Sequence, residues 1–268
     1  MFDELQNDLL LSTSAVAIST AADLPPDDWQ AEFLQSPAQQ IILNNCRQSG
    51  KTTLTAVQAY AQSLLPKSLT LICSPGLRQS TEVLLKINDI EDSLGNPLVK
   101  LEDSKLSCVY ENGSRIICLP ATHTIRGYSA PDLIVIDEAA WVPDVIYGSL
   151  RPMQATNADT ARIIIMSTPH GKLGFFHDTF VKGKSYDPVT GDGWHKFMVT
   201  ADDCPRITEE YLARERADTS ELMFRQEYYC EFVETEEQVF GTDFIEAAFD
   251  TDVETLGYDM TSDLAPLE

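Results

Sequence analysis

The sequence predicts an α/β fold with a mostly parallel central sheet, helices on both faces, and a small helical subdomain near the C-terminal end. Three observations carry this. Short continuous runs of Ile, Val and Leu recur along the chain ("QIILNN", "LTLICS", "LIVID", "RIIIMS"), the pattern of strands buried on both faces. Segments with helical spacing separate several of them. The stretch "TEEYLARERADTSELMFRQEYYCEF" then reads as two helices broken near Asp218.

In chain order, residues 1–25 read as an arm: a short helical pattern (Phe2, Leu5, Leu9), a Ser/Thr/Ala stretch, and Pro25-Pro26 as a stop. The dense domain is expected over residues 26–233, with its helical subdomain at about 205–233. "QQIILNNC" feeds "RQSGKTT", and "KTTLTAVQAYAQSLL" follows with helical spacing and no breaker before Pro66. "SLTLICSPG" is a second strand, followed by the helical "LRQSTEVLLKINDIEDSL". "KLSCVYENGSRIICLPA" places two alternating runs around Asn112-Gly113, a hairpin signal. "PDLIVIDEAAWVP" and "ARIIIMSTP" are further strands, and "WHKFMVTADD" is read as a fifth core strand. Residues 234–268 read as an acidic linker or tail.

Composition narrows the function classes. The 268 residues are 43% apolar and 23% charged, ordinary for a globular protein. No apolar run approaches membrane-spanning length, and the acidic start is unlike a secretory signal; the expected location is cytoplasmic, with no membrane partner. The six cysteines have no C-x-x-C spacing, which argues against a zinc or redox pair. The net charge of −23 argues against a generic nucleic-acid coat. The charge is uneven, however: thirteen acids and no Lys or Arg follow Arg225.

Asn45, Cys46, Arg47, Gln48, Ser49, Gly50, Lys51, Thr52 and Thr53 form a near match to a phosphate-binding loop. The pattern G-x-x-x-x-G-K-[ST] is complete except that Asn45 replaces the first glycine. Asn45 is expected to substitute by turning in the left-handed region. Strand, loop and helix in that order present backbone N–H groups to an anion at a helix N-terminus. Lys51 supplies a cation for phosphates and Thr52 a hydroxyl for Mg²⁺. Asp137 and Glu138 end a buried strand, where Asp137 would hold Mg²⁺ and Glu138 would orient an attacking water; the bland alternative is a helix-capping acid pair. Ser167, Thr168 and Pro169 end the next strand and would sense the γ-phosphate, or simply form a turn. Trp29 and Gln30 would sit at an adenine edge, or on an amphipathic helix with Trp29 and Phe33 buried. The fold class is then a P-loop NTPase and the cofactors are ATP and Mg²⁺.

Together "CRQSGKTT", "LIVIDEAAW" and "STPHGKLGFF" resemble the ATPase domain of tailed-phage terminase large subunits, the motors that package DNA. The resemblance covers roughly residues 25 to 240. It includes Arg47-Gln48 in the loop, Trp29-Gln30 upstream, Asp137-Glu138, Ser167-Thr168-Pro169, Arg126-Gly127 and the late "FRQEYYCEF". It implies a RecA-like fold of the ASCE class and ATP hydrolysis coupled to double-stranded DNA translocation into a procapsid. Arg47 would act as a phosphate contact or sensor and Arg126 as the charge-stabilising arginine, with Arg78 and Arg115 weaker candidates. The implied partners are double-stranded DNA, a portal protein, a small terminase subunit and a ring of like subunits, a pentamer by resemblance, with a monomer in isolation. Full members continue into a nuclease domain, and no nuclease activity is expected from this chain. The alternatives are a DEAD-like helicase or translocase outside packaging, or a nucleotide-gated binding module. The absence of a second motor domain and of a late Arg-rich motif weighs against the helicase, and intact Lys51, Asp137 and Glu138 against the module.

Overall fold

The structure, a computed structural model, describes residues 14–121, 125 and 127–234. Eight strands form one sheet: β1 (Gln40–Asn45), β2 (Leu69–Ser74), β3 (Lys100–Asp103), β4 (Ser107–Tyr110), β5 (Arg115–Pro120), β6 (Leu133–Asp137), β7 (Arg162–Ser167) and β8 (Trp194–Val199). Their order is β3-β4-β5-β2-β6-β7-β1-β8. All pairings from β5 through β8 are parallel, while β3–β4 and β4–β5 are antiparallel.

Eight helices accompany the sheet among the described residues: α1 (Ala15–Ala21), α2 (Asp28–Gln35), α3 (Lys51–Ser63), α4 (Leu77–Ser93), α5 (Asp144–Leu150), α6 (Gly174–Lys182), α7 (Glu209–Asp218) and α8 (Glu221–Tyr229). Strand residues alternate between two apolar layers. Ile41, Leu43, Ile72, Val135 and Ile164 face Leu54, Val57 and Tyr60 of α3 and Val83 and Ile87 of α4. Ile42, Leu71, Ile134, Ile136 and Ile165 face Ile146 and Leu150 of α5 and Phe175 and Phe176 of α6. Covering both faces is what lets these strands read as unbroken apolar runs. The helices α7 and α8 close over a satellite cluster of Ala201, Phe224 and Tyr228.

Three details differ from the sequence reading. The run read as a fifth core strand is β8, at the edge of the sheet beside β1, and only Trp194, Phe197 and Val199 of its six residues are buried. Lys100–Asp103 is a strand that the sequence did not announce, because an exposed edge places no apolar demand on it. The Ser/Thr/Ala stretch is helix α1, capped by Ser14 and anchored by buried Ile18. Residues 1–13, with the pattern Phe2, Leu5 and Leu9, lie outside the described residues, as do residues 235–268 of the acidic tail.

The hairpin at Asn112-Gly113 forms, with Gly113 at φ +81°. Its second strand, β5, does more than pair with β4. It also lies parallel to β2 and so extends the central sheet.

Candidate functional site

The carboxyl ends of β1, β6 and β7 converge, because β6–β7 and β7–β1 are neighbours in parallel register. Loop residues Cys46 to Gly50 leave β1 and enter α3. Gly50 sits at φ +96°, and a Cβ there would come within 3.0 Å of Gln30 Nε2, so glycine answers two demands at once. The second left-handed residue of the loop is Gln48, at φ 61°. Asn45 does not turn the chain: it is extended, paired in register with Val199 of β8. The left-handed turn expected of Asn45 is therefore made by Gln48, three residues later in the loop.

The loop is held from three sides. Cys46 N–H donates to Val199 O at 2.8 Å, and Arg47 N–H donates to Glu227 O of α8 at 2.8 Å. Gln30 Nε2 donates to Ser49 O at 3.1 Å, while Gln30 Oε1 accepts from Asp27 N–H at 3.0 Å. The first-turn N–H groups of α3, at Lys51, Thr52 and Thr53, precede the first intrahelical bond, from Leu54 N–H to Gly50 O. Such first-turn N–H groups are the donors that an anion at a helix N-terminus would use.

Lys51 is buried. Its Nζ donates to Thr168 Oγ1 at 3.0 Å and to Cys46 O at 3.4 Å, and lies 3.8 Å from Glu138 Oε1. Ser167 Oγ donates to Thr168 O at 2.7 Å and lies 3.3 Å from Glu138 Oε2. Three segments far apart in sequence thus meet around one ammonium group. Glu138 holds φ 50°, ψ 46°, a strained conformation for a residue with a Cβ, costing on the order of 1 kcal/mol. Its N–H returns to Asp137 Oδ1 at 3.0 Å. Burial, then the charge of Glu138, push the Asp137 carboxyl up to about 7, against the pull of Lys51 and that N–H.

A divalent cation fits this end of the sheet. Ser74, next in register after the pair Cys73–Ile136, stands beside Asp137. Ser74 Oγ, the Asn45 side-chain amide and Ser49 Oγ are buried and have no hydrogen-bond partner among the described residues. Such orphaned groups call for a ligand or its water shell. No cluster of three His, Cys, Asp or Glu forms a ready cage among the described residues. Asp137 could serve a cation such as Mg²⁺, which takes one or two carboxylates and draws other oxygens from a phosphate and from water.

The remaining sequence candidates are placed as follows. Arg47 is exposed, 3.5 Å from Glu227 Oε2. Thr53 Oγ1 accepts from Lys86 Nζ at 3.2 Å, which spends it on α4. Trp29 is half-buried against the core. Gln30 is buried with both ends of its amide engaged, so it acts first as a strut for the loop. Pro169 is buried. Arg126 lies outside the described residues. Arg78 lines a groove with Leu85 and Lys105, and Arg115 starts β5 at the amino ends of the strands, away from the loop.

A cleft of about 380 Å³ opens beside this cluster, lined by Arg47, Pro75, Gln79, Glu138, Trp141, Thr168 and Glu227. Glu227, Ser74, Trp141 and Arg206 were not singled out by the sequence. Arg206 makes a bidentate pair with Asp27, at 2.8 and 2.7 Å, just outside Gly50. Only Trp141 carried a local signal, three residues after Glu138.

Residues 42–246 match the family model described as terminase large subunit, T4likevirus-type, N-terminal. The chain belongs to this terminase large subunit family. Among curated relatives are the terminase large subunits of Thermus phage G20c and Thermus virus P23-45, each 27% identical over 248 residues. Each alignment covers 81% of this chain and 50% of the relative, so the chain spans about half the length of those terminases. The large terminase ATPase domain of Thermus phage P74-26 superposes with a TM-score of 0.68 at 21% identity, covering 80% of this chain and 97% of that one. The large terminase of a thermophilic bacteriophage in complex with ADP gives 0.61 at 13% identity, covering 78% and 54%. These likenesses establish the RecA-like P-loop fold of the terminase ATPase domain.

Proposed function

We propose that this chain is the ATP-hydrolysing motor domain of a DNA-packaging terminase large subunit. The observation that carries the reading is the convergence of Lys51, Thr168 and Glu138 at the mouth of a phosphate loop. Membership in the terminase family supports it, as do the ADP and ATP-γ-S complexes of the thermophilic bacteriophage's large terminase. On this reading residues 26–233 form the motor, with residues about 205–233 its helical subdomain.

ATP lies with its phosphates on the N–H groups of the loop and of the first turn of α3. Lys51 exchanges Thr168 and Cys46 O for the β- and γ-phosphates. Thr52 and Asp137 would hold Mg²⁺, which when bound offsets phosphate charge. Glu138 orients the attacking water and takes its proton; its side chain is partly open to the cleft. Arg47 reaches a phosphate from the loop, and Arg126 remains the candidate for stabilising the transferred phosphoryl group. Ser167, Thr168 and Pro169 adjoin both Lys51 and Glu138, so loss of the γ-phosphate is felt there first and passed to the chain beyond. Gln30 and Trp29 bound the adenine end, where Gln30 keeps one N–H and one lone pair to spare. The work done is translocation of double-stranded DNA in a ring, a pentamer on a portal with a small subunit, inside the host cell. No helix among the described residues is long and apolar enough to cross a membrane.

The test is Glu138→Gln. It should bind ATP with near wild-type affinity and lose about a hundredfold or more in turnover, measured by phosphate release and by equilibrium nucleotide binding. Undiminished turnover would remove Glu138 from its role.

A further inference from the structure

One aromatic pair beside the site has no part in the roles above. Trp141 stacks on His170, with ring centroids 3.6 Å apart and planes inclined by 21°. Trp141 is 55% exposed, yet lines the same cleft as Arg47, Glu138 and Thr168. A tryptophan serving only to fill the core would hide most of its ring. This one lays its face on a ring from another segment.

The chain paths show what the stack joins. Trp141 closes the short 3-10 turn that begins just after Glu138, and its N–H donates to Glu138 O at 2.9 Å. His170 is the second residue after Thr168, whose hydroxyl accepts from Lys51. The contacts form a closed circuit: Lys51, Thr168, Pro169, His170, Trp141, the turn, Glu138, and Lys51 again at 3.8 Å. Apart from the stack, the side chains of the β6 and β7 ends meet here through Ser167 and Glu138, at 3.3 Å. Glu138 meanwhile keeps a left-handed backbone, which persists only where surroundings over-determine it. A stacked aromatic pair stabilises on the same scale as that strain costs.

We propose that Trp141 is a positioning residue for hydrolysis. Stacked on His170, it fixes the turn that holds the Glu138 carboxylate against Lys51, and so ties the water-orienting acid to the segment that carries Thr168. The inference rests on the ATPase reading above and deepens it.

Four variants test it under saturating ATP and Mg²⁺, with nucleotide affinity and melting temperature measured alongside. Trp141→Ala and His170→Ala should each lower kcat about tenfold to a hundredfold, with KM within about twofold. Trp141→Phe and His170→Phe keep a stacked ring and should restore most of the rate. All four should melt within a few degrees of wild type. Wild-type kcat in both alanine variants would overturn the proposal. So would a raised KM at unchanged kcat, since the ring would then be touching nucleotide rather than aligning Glu138. Should Trp141→Ala fail to fold, the His170→Ala and His170→Phe pair decides alone: equal rates overturn it. A wild-type chain that neither binds nor hydrolyses ATP would instead overturn the ATPase function itself, and this inference with it.

Discussion

Two lysines of this molecule reach into low-dielectric surroundings to meet carboxylates, and their neighbourhoods differ. Lys100 Nζ stands 2.5 Å from Glu91 Oε2, 2.7 Å from Asn88 Oδ1 and 3.6 Å from Asp103 Oδ2. Burial alone would lower its affinity for a proton, but the hydrogen bond and charge of Glu91 prevail and hold it above the ordinary lysine value. Lys51 is more buried and less well matched: its nearest carboxylate is 3.8 Å away, and its best partner is a neutral hydroxyl. Burial holds the Asp137 carboxyl beside it high, and Lys51 only partly offsets that. The Lys100 pair closes on itself, whereas Lys51 stays under-partnered, as the proposed binding of a polyanion and a cation requires.

Breaking the closed pair should give the largest effect. Lys100→Met leaves Glu91, 2% exposed, without its cation and should cost about 3 kcal/mol in chemical denaturation while sparing ATP affinity. Lys51→Met should do the reverse: ATP binding about a hundredfold weaker by titration, with the melting temperature within a few degrees. If Lys51→Met proves the more destabilising of the two, the contrast fails.

Asp137→Asn sharpens the contrast through pH. The folded chain holds a proton at Asp137 up to about pH 7, whereas an unfolded carboxyl releases it near 4. Stability therefore falls as pH rises from about 4 to about 7 and is flat above. The asparagine variant should be more stable than wild type at pH 8, by on the order of 2 kcal/mol, and the gain should shrink to about half at pH 5.5. An equal gain at both pH values would show that the carboxyl is not perturbed.

Much of this arrangement was legible in the text. Continuous apolar runs announced β1, β2, β6 and β7, and the acids at the end of "LIVID" announced the site, because burial on both faces and polarity at a strand end leave direct marks. Strand order left none. That β1 lies between β7 and β8 is decided by long-range packing, and no local residue encodes it. The same holds for Glu227 on Arg47 and Arg206 on Asp27, contacts between segments about 180 residues apart. The turn of the loop left no mark either, because a substitution at a glycine position does not say which neighbour will take it up; Gln48 does, and Asn45 stays extended.

The ties that finish the loop come from about 180 residues later in the chain: Asn44 Nδ2 donates to Cys230 O at 2.9 Å, and Arg47 N–H donates to Glu227 O. On the ribosome the loop is therefore made early and tied late. A nascent chain that has emerged only through β8 carries every residue named for nucleotide but lacks the clasp. On the reading proposed above, a loop that grips ATP takes its final shape only once residues 227–230 have been made.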